Sequence, residues 1–203
     1  MNSRPQPVNS LSAFTLIELL TVITIIAILM GLLFPAVGIV KDQAKKAQAK
    51  ADVTNIAAAV KQYYTEYGKY PVGGAQVSVG SDLTFDGSSK HNVDLFDIIR
   101  NYGTPNQYNP RSIVFFDAKT VSDPTSPRAG LLTQDANGIP NRSYVDPWGK
   151  EYEIAVDSDY DNIIKPTGTF YNDFQGDNAP HTGVCVWSLG KDGILGEIGR
   201  AHV

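Results

Sequence analysis

The fold is decided by residues 14–40, which read FTLIELLTVITIIAILMGLLFPAVGIV. From Leu19 to Val40 the chain has 22 consecutive residues without a charged side chain. About 20 apolar residues in a helix cross the hydrocarbon core of a bilayer. The stretch therefore predicts a single membrane-spanning helix, and the polar residues that follow predict a separate domain outside the lipid.

The composition limits the classes of function. The chain has 203 residues, 42% of them hydrophobic, and a formal net charge of −4. This size suits one modest domain with an appendage, and the acidic balance argues against a nucleic-acid partner. Cys185 is the one cysteine, so no disulfide forms within the chain, and we expect it to be buried in an apolar run. The three histidines lie far apart and predict no zinc site.

Glu18 is the one ionisable residue near the start of the apolar stretch. An ionisable side chain in a membrane helix costs a few kcal/mol, so it usually has a partner and a purpose. If the chain were cut before Phe14, Glu18 would be the fifth residue, and its carboxylate would meet the α-amino group of a neighbouring subunit. The alternative is a glutamate near the interface that reaches water or is protonated.

Residues 13–20, Ala-Phe-Thr-Leu-Ile-Glu-Leu-Leu, resemble the processing signature of type IV prepilins and type II secretion pseudopilins. The resemblance implies that residues 1–13 are a leader peptide. It also implies that a membrane prepilin peptidase cuts between Ala13 and Phe14 and methylates the new amine. Residues 14–40 are then the transmembrane and assembly helix, in which Glu18 acts in assembly. Ala13 departs from the family, which usually has glycine before the cut.

Two other interpretations of the N-terminal segment stay open. A secretory signal peptide would end near Ala36-Val37-Gly38, although its apolar core would be unusually long. A signal anchor would carry an unrelated ectodomain. The lysines that follow Val40 outnumber Arg4, so the positive-inside rule alone places the C-terminal part in the cytoplasm. The resemblance implies the reverse, with that part in the periplasm.

The helical pattern continues through residues 41–71, an amphipathic half with its cap. Strong helix formers predominate, and Gly68 and Pro71 predict the end of the helix. We expect one helix of about 50 residues, or 75–80 Å at 1.5 Å per residue. Its apolar stripe is formed by Val53, Ile56, Val60, Tyr63 or Tyr64, and Tyr67, and its solvent face by Lys45, Lys46, Asp52 and Lys61.

Gly31 and Pro35 interrupt the apolar half of this helix. Proline removes one backbone hydrogen bond, and glycine weakens a helix by about 1 kcal/mol. One interpretation is an ordinary tolerated kink. The other, implied by the resemblance, is a stretch that bends or unwinds when the subunit enters a fibre.

Residues 72–203 predict a small C-terminal pilin-like domain of α+β class, with an antiparallel sheet on the helix stripe. Residues 72–90 are rich in glycine and serine and predict a loop. A short helix at 95–100 would be capped by Asn92 or Asp94. Strands are predicted at 112–116, 151–156 and 184–189.

Three further motifs extend the resemblance, in the order found in major pseudopilins. They are YYTEYGKYP at 63–71, DPWGKEY at 146–152 and SLGKDG at 188–193. Together with the N-terminal signature they imply a type II secretion pseudopilin, closest to the major one.

No cofactor is required by any of these motifs, but calcium is a candidate ligand. The resemblance implies a calcium site in the closing loop, where Ser188 and Asp192 match but the usual following acidic pair is absent. A second candidate is the alternating set Asp157, Asp159 and Asp161, since hard cations prefer such oxygens. The alternative for that set is a solvated acidic turn.

The sequence therefore predicts a non-enzymatic fibre subunit. The resemblance implies that it waits in the inner membrane and then joins copies of itself and other pilins in a helical fibre in the periplasm or at the cell surface. Its further partners would be the prepilin peptidase and an inner-membrane assembly platform. A type IV surface pilin and a membrane-anchored ectodomain that does not polymerise are the alternatives.

Overall fold

The computed structural model describes residues 15–74, 82–87, 90–103, 107–134, 138, 141–165, 179–193 and 201–202. The chain divides into two compact units, Met1–Gln43 and Ala44–Val203. The described part contains helices α1 (Leu16–Tyr67) and α2 (Val93–Ile99) and strands β1 (Leu83–Phe85), β2 (Gly130–Leu131), β3 (Tyr144–Val145), β4 (Glu153–Val156), β5 (Val184–Trp187) and β6 (Ala201–His202). The predicted α+β class is confirmed.

Helix α1 is 52 residues long, which confirms the predicted continuous helix. It ends at Tyr67, and the next residue, Gly68, has a φ of 67° in the left-handed region that glycine adopts at little cost. The backbone N–H of Gly68 donates to the carbonyl of Tyr64 at 2.8 Å, which satisfies one of the last carbonyls of the helix.

The core forms around the predicted stripe of α1. Val53, Ile56 and Val60 are fully buried, and Tyr63 is 1% exposed whereas Tyr64 is 39% exposed. Tyr63 is therefore the tyrosine that belongs to the stripe. These side chains pack in one cluster with apolar residues of α2 and of both central strands, β4 and β5.

The main sheet has four antiparallel strands in the order β1-β4-β5-β6, and β2 and β3 form a separate pair. Side chains along a strand alternate between its two faces. Ile154 and Val156 of β4 accordingly join the core cluster on α1, whereas Ala155 packs with Cys185 and Trp187 in a second cluster. The predicted burial of Cys185 is confirmed, and burial raises the pKa of its thiol to about 12.

The strand predicted at 112–116 is wrong. Ser112 has a φ of 55°, which is incompatible with an extended strand. The backbone groups of this segment bond to α2 and to a side chain instead. The N–H groups of Phe115 and Phe116 donate to the carbonyl of Ile99 at 2.8 and 3.3 Å, and Ile113 donates to Asn109 Oδ1 at 3.1 Å.

Other predictions for the domain are correct in type and wrong in extent. The strands predicted at 151–156 and 184–189 are present as the shorter β4 and β5. The loop predicted at 72–90 is wrong in part, because β1 lies within it and pairs with β4. The short helix α2 begins two residues earlier than predicted, at Val93.

Asn92 occupies the N-cap position of α2, but its side chain does not cap the helix. It is fully buried, and its Nδ2 donates to the carbonyls of Tyr144 and Tyr152 at 2.9 and 3.0 Å. Its Oδ1 accepts from the N–H of Tyr144 at 2.9 Å. Asn92 therefore joins α2 to β3 and to the start of β4.

The turn at 146–150 requires glycine and a buried aspartate. Gly149 has a φ of 93°, and a Cβ there would lie 2.5 Å from the carbonyl oxygen of Pro127. Asp146 is fully buried, and its Oδ1 accepts from the N–H groups of Trp148 and Lys150, both at 2.9 Å. These contacts account for Asp146 and Gly149 of the Asp-Pro-Trp-Gly sequence by folding requirements.

Replacing Val60 by alanine tests the importance of the α1 face. Val60→Ala should lower the free energy of unfolding of the C-terminal unit by about 2 kcal/mol, because it removes buried methyl groups and leaves a cavity. Val114→Ala is the matched control, since Val114 is 59% exposed. Chemical denaturation of the full chain in detergent measures both, and equal losses in the two variants would contradict the assignment.

Candidate functional site

The predicted processing site, Ala13 and Phe14, lies outside the described residues. The description begins at Thr15, and α1 starts at the next residue. Cleavage and methylation at this site stay predictions.

Thr15 and Glu18 bond to each other across the first turn of α1. Glu18 Oε2 accepts from the N–H and the hydroxyl of Thr15 at 2.8 and 2.6 Å, and the N–H of Glu18 donates to Thr15 Oγ1 at 3.3 Å. This reciprocal pair is a capping box, in which each side chain satisfies the other's free backbone N–H. Sequence reasoning missed it, although the Thr-x-x-Glu spacing carries the signal.

The capping box uses Oε2 of the Glu18 carboxylate and leaves Oε1 available to another donor. No hydrogen bond within the described residues reaches Oε1, and the side chain is exposed. A carboxylate accepts about four hydrogen bonds. Glu18 can therefore cap its own helix and still accept a donor from another chain.

Gly31 and Pro35 lie within α1, which the structure shows as continuous helix through both positions. A Cβ at Gly31 would meet nothing within 4 Å, so packing inside the chain does not explain the glycine. Pro35 has no N–H, so the carbonyl of Gly31, four residues earlier, lacks its usual helical donor. An assembly role for this pair stays a prediction.

No described residue covers the apolar side chains of α1 before Lys41. The helix is long and apolar enough to cross a membrane, and none of its most apolar 18-residue segment is buried. Exposure reaches 83% at Leu16, 75% at Phe34 and 65% at Val40. Contiguous apolar surface of this extent marks a membrane or protein contact.

The structure brings together part of the predicted acidic set and adds one residue to it. Asp157 and Asp159 lie with Asp82, and one carboxylate oxygen from each falls within 4.8 Å of the others. Asp161 does not join them, because it forms an ion pair with Lys165. Asp82 was not found from sequence, since it is 75 residues away from Asp157.

Backbone N–H groups already surround the two buried carboxylates of this cluster. Asp82 accepts from Ser158 and Lys165 at 3.1 and 2.5 Å, and Asp157 accepts from Asp161 and Asn162 at 3.1 and 2.9 Å. Burial raises the pKa of both Asp82 and Asp157. Three carboxylates suit a hard cation, and calcium at this cluster stays a prediction.

The two predicted ligands in the closing loop lie in different environments. Ser188 is 2% exposed, and its hydroxyl donates to Asp146 Oδ2 at 2.6 Å while accepting from the N–H of Gly190 at 3.0 Å. Asp192 is exposed. The bonds of Ser188 give it a structural role that links the closing loop to the 146–150 turn.

Asp52 does not simply face solvent, as the helix pattern predicts. Its Oδ2 accepts a hydrogen bond from the hydroxyl of Tyr152 at 2.9 Å, and its half-buried carboxyl has a raised pKa because of that burial. It lines an open cleft of about 420 Å³ within the second unit, together with Asn55, Gln62, Phe115, Asp117 and Tyr144. Sequence carried no signal for it, because Tyr152 is 100 residues away.

Comparison with known proteins adds one partial match. The chain is 45% identical over 60 residues to the type II secretion system core protein G of Pseudomonas aeruginosa. The match covers 30% of this chain and 42% of the length of that protein. The chain therefore spans less than half the length of the relative that it matches. No family model and no solved structure matches it.

The match supports the resemblance derived from the motifs. The exposed apolar half of α1 agrees with membrane anchoring.

Asp52→Asn tests the electrostatics of the cleft. The pKa of Asp52 is raised above 3.8, so its contribution to stability is present below pH 3.8 and is lost as the pH rises through the raised value. Asparagine keeps an acceptor for Tyr152 and does not titrate. The variant should be at least as stable as the wild type at neutral pH, with a flatter dependence on pH. Thermal denaturation from pH 3 to 7 measures this, and superimposed profiles would contradict it.

Proposed function

We propose that this chain is a structural subunit of a type II secretion pseudopilus. The observation that carries the proposal is the apolar half of α1, which is exposed along its described length and is covered by no other described residue. Lipid covers such a surface before assembly, and the equivalent helices of neighbouring subunits cover it in a fibre. The partial match to core protein G supports the same role.

In this proposal residues 14–40 anchor the subunit in the inner membrane as a single pass, and residues 72–203 lie in the periplasm. The prepilin peptidase removes residues 1–13 and methylates Phe14. An inner-membrane assembly platform then adds the subunit to copies of itself and other pilins. Head-to-tail contacts that do not close form such filaments naturally. The chain is the substrate of the peptidase and has no enzymatic activity of its own in this scheme.

Glu18 is the proposed assembly residue. Its Oε2 holds the capping box with Thr15, and Oε1 is directed to no donor among the described residues. In the fibre, Oε1 accepts from the N-terminal amine of Phe14 in the neighbouring subunit. In surroundings of low dielectric constant, this pairing of opposite charges is strong enough to set the axial register of the helices.

Two alternative functions differ from the proposed one in what the helix joins after it enters the membrane. A type IV surface pilin would use the same helix and the same processing, and would differ only in the fibre that it joins. An anchored ectodomain would keep the helix in lipid and form no polymer. The cleft beside Asp52 is the observation that favours a binding role for the ectodomain.

The N-terminal residue of the protein from native membranes tests the processing step. We expect a chain that begins with N-methylated Phe14, as intact-mass and peptide mass spectrometry would show. An intact Met1 would favour the anchored ectodomain, and a start at Ile39 would indicate an ordinary secreted protein.

Glu18→Gln tests assembly separately from helix capping. Glutamine keeps an amide oxygen that accepts from Thr15, so the capping box remains, but the negative charge is lost. We expect the variant to stay in the membrane fraction and to lose the ladder of cross-linked subunits seen for the wild type. Cross-linking in cells that carry the secretion machinery measures this.

Glu66→Gln is the matched control on the same helix. Its ion pair with Arg111 is exposed and contributes at most about 1 kcal/mol, so assembly should continue. Fibres formed by Glu18→Gln at the wild-type level would show that capping, and not the charge, is what Glu18 supplies.

A further inference from the structure

Four lysines follow the apolar run of α1 immediately. We call Lys41, Lys45, Lys46 and Lys50 the lysine band. With Asp42 they give residues 41–50 a formal charge of +3. All four belong to the continuous helix and are exposed or partly exposed.

The lysine band has no carboxylate partner in the described part of the chain. The ion pairs found there involve His91, Arg111, Arg142 and Lys165. None of the four lysine side chains takes part in these ion pairs. Among the described residues, the positive charge of the band therefore lies outside the ion pairs.

The rest of the chain has the opposite charge. Residues 51–203 contain 12 Lys and Arg against 19 Asp and Glu, a formal charge of −7. An anionic surface repels this part of the molecule and attracts the band. Positive charge is thus concentrated in the one segment that adjoins the apolar run.

The spacing along the helix keeps the first three lysines of the band close to the end of the apolar run. Lys41 directly follows Val40, the last residue of the apolar run. At 1.5 Å per residue, Lys45 and Lys46 lie about 6 and 8 Å farther along. Both distances fall within the Debye length of about 8–10 Å at physiological ionic strength. A phosphate headgroup beside the helix would feel all three charges.

We propose that the lysine band binds the anionic phosphate headgroups of the bilayer that the helix crosses. This inference rests on the membrane anchoring in the proposed function. It adds a ligand, the phosphate headgroup, for the lysine band. The acidic residues of a second copy are a less suitable occupant, because any partner of Lys41 must lie against the headgroups. Bound headgroups would hold the waiting subunit at a fixed depth in the membrane.

Lipid selectivity of the full chain in nanodiscs tests the proposal. The discs contain phosphatidylglycerol and phosphatidylcholine in equal amounts, and spin-labelled forms of each report the fraction held at the protein surface. One lysine near an anionic surface is worth about a fivefold preference. We expect the wild type to prefer phosphatidylglycerol at least about fivefold at low salt, and to lose this preference in 1 M salt, where the Debye length is about 3 Å.

Two triple variants separate the band from the general charge of the protein. Lys41→Gln with Lys45→Gln and Lys46→Gln should bring the preference close to one. Lys61→Gln with Lys69→Gln and Lys119→Gln removes the same charge elsewhere and should keep the preference. The salt titration of the wild type tests the proposal independently of whether either variant folds.

Several results would overturn the inference. They are a wild type without preference, a preference kept by the first triple variant, and an equal loss in both triple variants. If the first variant keeps the preference and loses self-association, the band binds a second copy instead. A chain that stays outside the discs would overturn the proposed anchoring together with this inference, whereas an inserted chain without selectivity overturns the inference alone.

Discussion

Burial of one face of α1 is the contact on which the C-terminal unit depends. Val53, Ile56, Val60 and Tyr63 are at most 1% exposed and pack against α2 and the central strands. Each such side chain contributes about 2 kcal/mol when fully buried, against a net stability of about 5–15 kcal/mol for a typical domain. Short strands of two to four residues, such as β2 to β5, need a surface of this kind, because isolated strand pairs are marginal in water.

The same helix meets a different requirement before Lys41, where its large apolar side chains are exposed. A helix that is apolar on all sides must be covered by lipid or by other helices. The polar groups in this half are therefore informative. Thr15 and Glu18 satisfy the first free N–H groups of the helix, and Pro35 leaves the carbonyl of Gly31 without its usual donor. This half thus contains two acceptors that can bond to a group outside the chain, Glu18 Oε1 and the carbonyl oxygen of Gly31.

Buried polar side chains then fix how the short elements of the domain meet. Asn92 connects α2 to β3 and β4, and Asp146 connects its own turn to the closing loop through Ser188. A buried donor or acceptor without a partner costs about 1–3 kcal/mol, so each such residue favours one arrangement over its competitors. Two of the motifs that resemble pseudopilins, at 146–152 and 188–193, are joined by the bond between Ser188 and Asp146.

The sequence by itself determined α1, its end at Gly68, the central strands β4 and β5, and the burial of Cys185. These features depend on local patterns of period 3.6 or 2 and on the backbone freedom of glycine, which can be read over a few residues. The capping box of Thr15 and Glu18 was readable in the same way. Only the tertiary structure decided the rest. Residues 112–116 bond to the end of α2 instead of to a strand, β1 pairs with a strand about 70 residues later, and Asp52 and Asp82 find partners far along the chain. Such partners are brought together by the packing of the whole domain, so no local pattern specifies them.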